Sequence, residues 1–412
     1  MKRRKFIQMT GTGALAVPVS TYAHTWTLQD KNTAEVIVVG AGTFGVWTAY
    51  HLQRMGAQVT LVDAYGPGNS RASSGGETRL IQTNSANPLY VQSALRAFGF
   101  WKELEERSGE TLVLPTGALN MSTSESYRET VFARKKQHLS VGIKNTEVLD
   151  RDEIRYRWPQ IYSDDIAVAM YHDGGASGST ILARKAIQMV VKEFEKEGGK
   201  LIIAHGKPII SKGKVEGIDI GKNRVLKAAQ YVFACGPWLP KLFPELLLPK
   251  LQVQRRDVLF VGTPAGDNRF SYPNMPEWGI TGSGYYGFAD IQGRGFKVAP
   301  YPDHNPLDPD RDERIVNPYQ AKRAHDFVAK RFPDLKDQPI IESRVCQVTN
   351  STDMNFIVDH IPGTQNAWII GGGSGHGFKH GPSVGEFASL RLLDKEANPA
   401  FTKLYTLKEA KF

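Results

Sequence analysis

The chain of 412 residues has only two cysteines, Cys235 and Cys346. Its length allows a core large enough to need no staple, so no disulfide framework is expected. Nowhere does it approach the ~20 consecutive apolar residues of a membrane-spanning helix, which argues against stable membrane insertion. Internal repeats and low-complexity tracts are absent, which excludes solenoids and disordered linkers. No basic run interleaved with aromatics appears, so nucleic acid is not an expected partner. Acid is missing from the first 23 residues, where Lys2, Arg3, Arg4 and Lys5 supply four of the net +9 charges and leave a diffuse +5 on the rest. That modest positive field favours small anionic ligands over polymers. No metal site is expected.

The basic start runs into Phe6-Ile7 and a mildly apolar stretch from Gly11 to Val19, with small residues around Ala23. This is the order of a cleaved export signal. Arg3-Arg4-Lys5-Phe6-Ile7 resembles the twin-arginine signal that carries folded, cofactor-loaded proteins to the periplasm. A plain basic tail is the alternative reading of residues 1–23.

Beyond that segment, 412 residues exceed one ordinary hydrophobic core, and two domains are expected. Val36-Ile37-Val38-Val39 is a continuous β-branched run, the pattern of a buried parallel strand. A helix follows over about 44–55, then a second strand, Val59 to Val62. Helices are also predicted over 87–108, over 181–196 with Thr180 as N-cap, and over 383–394. Short strands at 208–211, 214–220 and 224–226 read as a meander leading to a buried strand, 231–234. Aromatics, prolines and alternating strands between 251 and 336 predict an antiparallel sheet. The expected fold is α/β. A Rossmann-type nucleotide domain takes 34–115, 172–245 and 340–412, and an antiparallel-sheet substrate domain takes 116–171 and 246–339.

Gly40-Ala41-Gly42-Thr43-Phe44-Gly45 satisfies G-x-G-x-x-G directly after a predicted strand and at the start of a helix, with Asp63 ending the next strand. The glycines allow a tight turn and close approach of a pyrophosphate to the helix N-terminus, and Asp63 can accept hydrogen bonds from ribose hydroxyls. Thr43 and Phe44 fall inside the same turn. A late strand, Ala367 to Ile370, and its glycine cluster return to this region, which favours FAD over NAD.

Further motifs occur in order. Gly76-Glu77-Thr78-Arg79, Arg157-Trp158-Pro159, Tyr285-Tyr286-Gly287-Phe288 with Gly295-Phe296-Lys297, Cys346 with Phe356-Ile357-Val358-Asp359, and Ser374-Gly375-His376-Gly377-Phe378-Lys379 together resemble the monomeric sarcosine oxidase and N-methyltryptophan oxidase family of FAD-dependent amine oxidases. The likeness runs from about 34 to 395. It implies that Cys346 bonds covalently to the flavin and that Arg79 lies against it. It also implies that Gly373, Gly375, Gly377, Phe378 and Lys379 belong to the loop closing over it. Lys297 matches the lysine that promotes reaction with O2. His376 falls in the catalytic set, in a positioning role rather than as general base. Substrate contacts fall on Gln82, Tyr286, Tyr301, Val348 and Lys379. Three of these depart from the family. A second arginine of the carboxylate clamp is Gln82 here, a tyrosine is Val348 and a histidine is Tyr301, while the clamp lysine remains as Lys379.

The resemblance therefore implies oxidation of the C–N bond of a secondary amine or N-substituted amino acid to an imine, with H2O2 as second product, by an exported monomer. Sarcosine itself fits the altered clamp poorly. A dehydrogenase using another acceptor and a flavin-bound protein without catalysis are the alternatives. If residues 1–23 direct twin-arginine export, replacing both Arg3 and Arg4 by lysine should leave folded protein in the cytoplasm. Fractionation showing normal export of that double variant would refute the signal.

Overall fold

The computed structural model describes residues 35–300 and 306–408. Residues 1–23, read above as an export signal, and Tyr301 lie outside the described residues. Residues 33–412 cluster as one unit, built on two large sheets.

The first is six-stranded, in the order 357–360, 367–371, 230–233, 35–39, 58–63, 200–203. Its strands pair in parallel apart from the antiparallel edge strand Ile357–His360. Val36, Val38, Leu61 and Val232 are fully or nearly fully buried beneath helices Thr43–Arg54 and Ala183–Lys196, while Ile37, Val39 and Phe233 pack on the opposite face with Leu239 and Phe243. Burial on both faces explains why these strands are continuous apolar runs rather than alternating ones.

The second sheet has eight strands, in the order 340–351, 251–261, 296–300, 285–288, 277–281, 118–122, 168–172, 146–149. It is antiparallel except where Glu277–Thr281 runs parallel to Ala118–Ser122. One face carries Leu119, Met121, Trp278, Ile280, Phe296 and Val298, which form a core with Val328 and Phe332 at the helix Pro318–Arg331. The alternate residues of the same strands, among them Asn120, Glu277, Gly279, Tyr286, Phe288 and Lys297, face the cavity described below. Strand period two thus sorts the chemistry from the core.

Three expectations are corrected. The segment 340–351 pairs along its length with Leu251–Val261, so it belongs to the large sheet and not to the nucleotide-binding part. Thr180 caps no helix. It sits in strand Ser179–Leu182, its hydroxyl 2.9 Å from that of Thr116, and the helix starts at Ala183. The last long helix begins at Gly381, two residues before the expected start. Both cysteines are free. No helix among the described residues is long and apolar enough to cross a membrane.

Gly45 is a packing residue. A Cβ there would stand 1.9 Å from the Gly40 carbonyl oxygen and 3.1 Å from Ala234 Cβ, so helix and strand approach as closely as they do only with glycine. Gly45→Ala should destabilise the protein by about 1–3 kcal/mol, the usual cost of overpacking. An unchanged denaturant midpoint would show that the helix moves aside freely.

Candidate active site

A cavity of about 1030 Å3 opens at the carboxyl ends of the parallel strands, where Val39, Val62, Ala234 and Ile370 run into loops. That is where open α/β sheets bind ligands, and the volume is at the top of the ~300–1,000 Å3 range of cofactor sites. The cavity continues from this sheet onto the polar face of the large one, so one space spans both.

At the first end, Gly40 adopts φ 108°, which favours glycine, and any Cβ on it would meet the Ala234 carbonyl oxygen at 2.5 Å. Gly42 is the N-cap of the helix Thr43–Arg54, whose first turn contains no acid, so an anion faces amides and a positive helix end. Thr43 N–H donates to Ser74 Oγ at 3.0 Å. Asp63 ends its strand at the cavity wall. Its carboxylate accepts from the amides of Ala41, Tyr65 and Gly66 at 2.7, 2.9 and 2.8 Å. Burial nevertheless raises its pKa above the ordinary value, against those three bonds. Gly40, Gly42, Thr43, Phe44 and Asp63 all line the space, and Gly45 does not.

The segment Gly76–Arg79 joins the two ends. Strand Thr78–Ile81 pairs with Ser179–Leu182, and the amides of Ala183 and Arg184 donate to the carbonyls of Glu77 and Gly76 at 2.8 and 3.0 Å. A Cβ at Gly76 would lie 2.0 Å from Arg79 Nη1 and 2.5 Å from Arg344 Nη2, so glycine makes room for two guanidiniums. Glu77 lies 3.3 Å from Arg344 Nε and 3.8 Å from Arg294 Nη2. Burial pushes the Glu77 carboxyl up, but Arg344, Lys297 and Arg294 outweigh it and hold it below the usual range. Thr78 supplies both its hydroxyl, at 3.0 Å, and its carbonyl, at 3.3 Å, to the Lys297 ammonium. Each position of G-E-T-R therefore has a physical task.

Lys297 is buried, with its Nζ 4.7 Å from the centre of the Phe288 ring and 5.9 Å from that of Phe260. Burial and the nearby Arg79 and Arg344 lower its pKa well below that of a free lysine. Arg79 Nη2 stands 3.8 Å from Cys346 Sγ, and its guanidinium lies 5.8 Å from the Phe378 ring centre. For the Cys346 thiol burial acts upward, yet Arg79, Arg344 and Lys297 prevail and hold it below the ordinary value. The sulfur is thus a cavity-lining nucleophile made more acidic by cations.

The loop Gly371–Lys379 closes the middle of the space, and Gly373, Gly375, Gly377, Phe378 and Lys379 line it. The amides of His376 and Gly377 donate to the Gly373 carbonyl at 3.0 and 2.7 Å, which fixes the turn. His376 is wedged against Tyr90 and Phe356, with Nε2 3.2 Å from the Met354 carbonyl. Burial and Lys379 push it down to about 4, so its imidazole is neutral near pH 7. This arrangement holds the imidazole against the loop. Lys379 has no hydrogen-bond or ion-pair partner for its ammonium among the described residues, and burial lowers it to about 8. Gln82, Tyr286 and Val348 also line the cavity, as the substrate-side reading requires.

Sequence reasoning missed Arg256, Arg344, Asn120 and Glu277, all cavity-lining. Each sits at the inward phase of a strand, and a charged or amide residue in that phase was the available signal. Among the described residues no group of His, Cys, Asp and Glu could hold a metal.

This site belongs to a nucleotide-cofactor redox enzyme. A family model described as FAD dependent oxidoreductase matches residues 35–390, and the chain belongs to that family. It is 30% identical to monomeric sarcosine oxidase of Bacillus sp. (strain B-0618), over 87% of this chain and 92% of that protein. It is 28% identical to N-methyl-L-tryptophan oxidase of Salmonella arizonae, over 89% and 96%. The fold matches fructosyl peptide oxidase from E. terrenum with a TM-score of 0.80 over 92% of this chain and 93% of that one, at 20% identity. The residues fit FAD. The Gly40 turn leaves no room for a side chain, the helix start is free of acid, and buried Ser73 Oγ and Thr349 Oγ1 line the space without partners.

The value of Lys379 has a measurable sign. Below about 8 it is an ammonium; above, it is neutral. Binding of acetate to the holoenzyme, read from flavin absorbance, should weaken by about tenfold per pH unit once the pH passes that value, until other cations dominate. The guanidinium of Arg256, which also lines the cavity, adds a second attraction. Lys379→Met should flatten the profile, and a dissociation constant in wild type that is constant up to about pH 9.5 would refute the assignment.

Proposed function

We propose that this protein is an exported, FAD-dependent oxidase of the C–N bond of secondary amines or N-substituted amino acids, with substrates larger or less carboxylate-dependent than sarcosine. The observation that carries this reading is the cation cluster around Cys346 and Lys297, continuous with a cavity face whose carboxylate clamp is reduced to Lys379. When bound, FAD supplies the two-electron acceptor, and O2 removes those electrons as H2O2.

The chain does the rest. Gly40, Gly42 and the helix start hold the pyrophosphate, and Asp63 faces the ribose. Cys346 forms the covalent link, its thiol made acidic by Arg79 and Arg344. Arg79 supplies a fixed positive charge beside the redox ring. Thr78 and two aromatic rings hold Lys297 in place, so its charge needs no reorganisation when negative charge develops on oxygen. Phe288 and Phe260 shield that ammonium from water. Tyr286 and Val348 shape the substrate side, and Lys379 is what remains there of the family's carboxylate clamp. Gln82 contributes a carbonyl or amide where the family places a guanidinium.

Two measurements on the holoenzyme test this together. Acid-precipitated wild type should remain yellow, while Cys346→Ala loses its flavin to the supernatant. After chemical reduction, wild type should reoxidise rapidly in oxygenated buffer. Lys297→Met should do so at least about a hundredfold more slowly, the ~2.7 kcal/mol of one lost preorganised charge. Equal rates would remove Lys297 from the oxygen reaction. Slow reoxidation of wild type would favour a different electron acceptor, and colourless precipitate would refute the covalent bond alone.

A further inference from the structure

One buried acid, Glu277, lines the cavity on the large sheet. In the large sheet Phe260 pairs with Lys297 and Lys297 with Phe288. The pairing of Trp278 with Gly287 carries that row to Glu277, and Glu277 pairs in turn with Ala118. Glu277 therefore lies on the same face as Lys297 and two strands away, roughly 10 Å at ordinary strand spacing. The ring of Phe288 separates them.

Glu277 is 2% exposed, and its Oε2 has no hydrogen-bond partner. No lysine or arginine forms an ion pair with it among the described residues. Burial alone pushes its carboxyl well above the usual range, which favours the protonated form. Trp278 and Ile280 turn the other way, into the core. Gly279 keeps the floor beside Glu277 low: a Cβ there would contact Tyr286 Cβ at 3.6 Å and Asn120 Oδ1 at 3.7 Å. Two more polar atoms of this region are buried without partners, Asn120 Nδ2 and Gln82 Oε1. Gln82 lines the same cavity, and the hydroxyl of its neighbour Thr83 lies 3.3 Å from His138 Nε2. The His138 ring packs 5.0 Å from that of His172, the strand partner of Ala118.

Glu277, Asn120 and Gln82 thus line the cavity with buried polar atoms that lack partners, which is costly unless a ligand completes them. A carboxylate ligand is the wrong complement, because it would meet an acid and an amide carbonyl where a guanidinium is absent. An ammonium is the right one. It donates to Glu277 and to Gln82 Oε1, and the Asn120 amide can satisfy the second carboxylate oxygen.

We propose that Glu277, with Gln82, is a specificity site for a second cationic centre, so that the preferred substrates are amines carrying a distal ammonium: N-alkylated diamines or basic amino acids. This rests on the amine-oxidation reading above and adds the substrate class. In the binding step the Glu277 carboxylic acid loses its proton to solvent and forms a carboxylate–ammonium pair with the ligand. No electron moves.

The test compares N-methyl-1,4-diaminobutane with N-methylbutylamine on the anaerobic holoenzyme, wild type and Glu277→Gln. Flavin absorbance reads binding and bleaching, and an indicator dye in weak buffer reads protons. Wild type should bind the diamine at least about tenfold more tightly than the monoamine and release about one additional proton per site. The isosteric Glu277→Gln should lose both the preference and the additional proton. Equal dissociation constants and proton counts in wild type, with bleaching by both amines, would overturn the cation site and leave amine oxidation standing. A preference that survives in Glu277→Gln would overturn it too. Tight diamine binding with the additional proton but no bleaching would instead overturn amine oxidation and leave the cation site standing.

Discussion

Everything at the redox end depends on crowding three cations around one sulfur and balancing them with one acid. Arg79, Arg344 and Lys297 repel one another in a buried space where Coulomb forces are only partly screened. Glu77 is the anion that makes the arrangement tolerable, and it works only because Gly76 lets the guanidiniums close in. Thr78 ties Lys297 to the same short strand. The helix Ala183–Lys196 then fixes the lead into that strand by donating to the carbonyls of Gly76 and Glu77. Four consecutive residues thus couple the nucleotide-binding helix layer to the far sheet. The unrelieved positive charge that remains suits a cofactor that becomes anionic when reduced.

The division of the large sheet into two faces follows from the same economy. Strand alternation sends Trp278, Phe296 and Val298 into a dry core with the helix Pro318–Arg331. It sends Glu277, Tyr286, Phe288 and Lys297 into the cavity. A rigid packed face behind each functional residue holds its neighbour in register, which is what a site needing fixed charges requires.

Much of this was legible before the structure. The Gly40–Gly45 turn, Asp63, Cys346 and the Gly373–Lys379 loop are local signals, because turn geometry and glycine need act within a few residues. They fall where expected. The failures were non-local. Thr180 looked like a helix cap because hydroxyl residues often are, yet pairing with Thr78–Ile81 drew it into a strand. The strand 340–351 looked like part of the nucleotide fold because it carries Cys346, but Cys346 lines a cavity with walls from both sheets. His376 lies in a recognisable motif, and only the packing of Tyr90 and Phe356 shows it to be a neutral wedge. Glu277 and Arg256 were invisible because inward phase is defined by register, which no single segment reveals.

The cavity that results is polarised along the row through Lys297. Near Cys346 it is cationic, with an acid committed to neutralising Arg344 and Arg294. Past Phe288 the only ionisable group on the row facing the space, among the described residues, is Glu277, which burial pushes toward its neutral form and which has no cation paired with it. A substrate lying between the two ends meets a field that draws developing negative charge toward Lys297 and, once Glu277 has given up its proton, positive charge toward Glu277. Amine oxidation moves electron density in that direction, from nitrogen-bearing carbon to acceptor. The two ends can therefore be altered separately. Changes at Lys297 act on the acceptor side, and changes at Gln82 or Glu277 act on which amine enters. The departures from the sarcosine oxidase pattern fall on the entering side while the acceptor side is retained. That pattern is expected of an enzyme keeping its chemistry while changing its substrate.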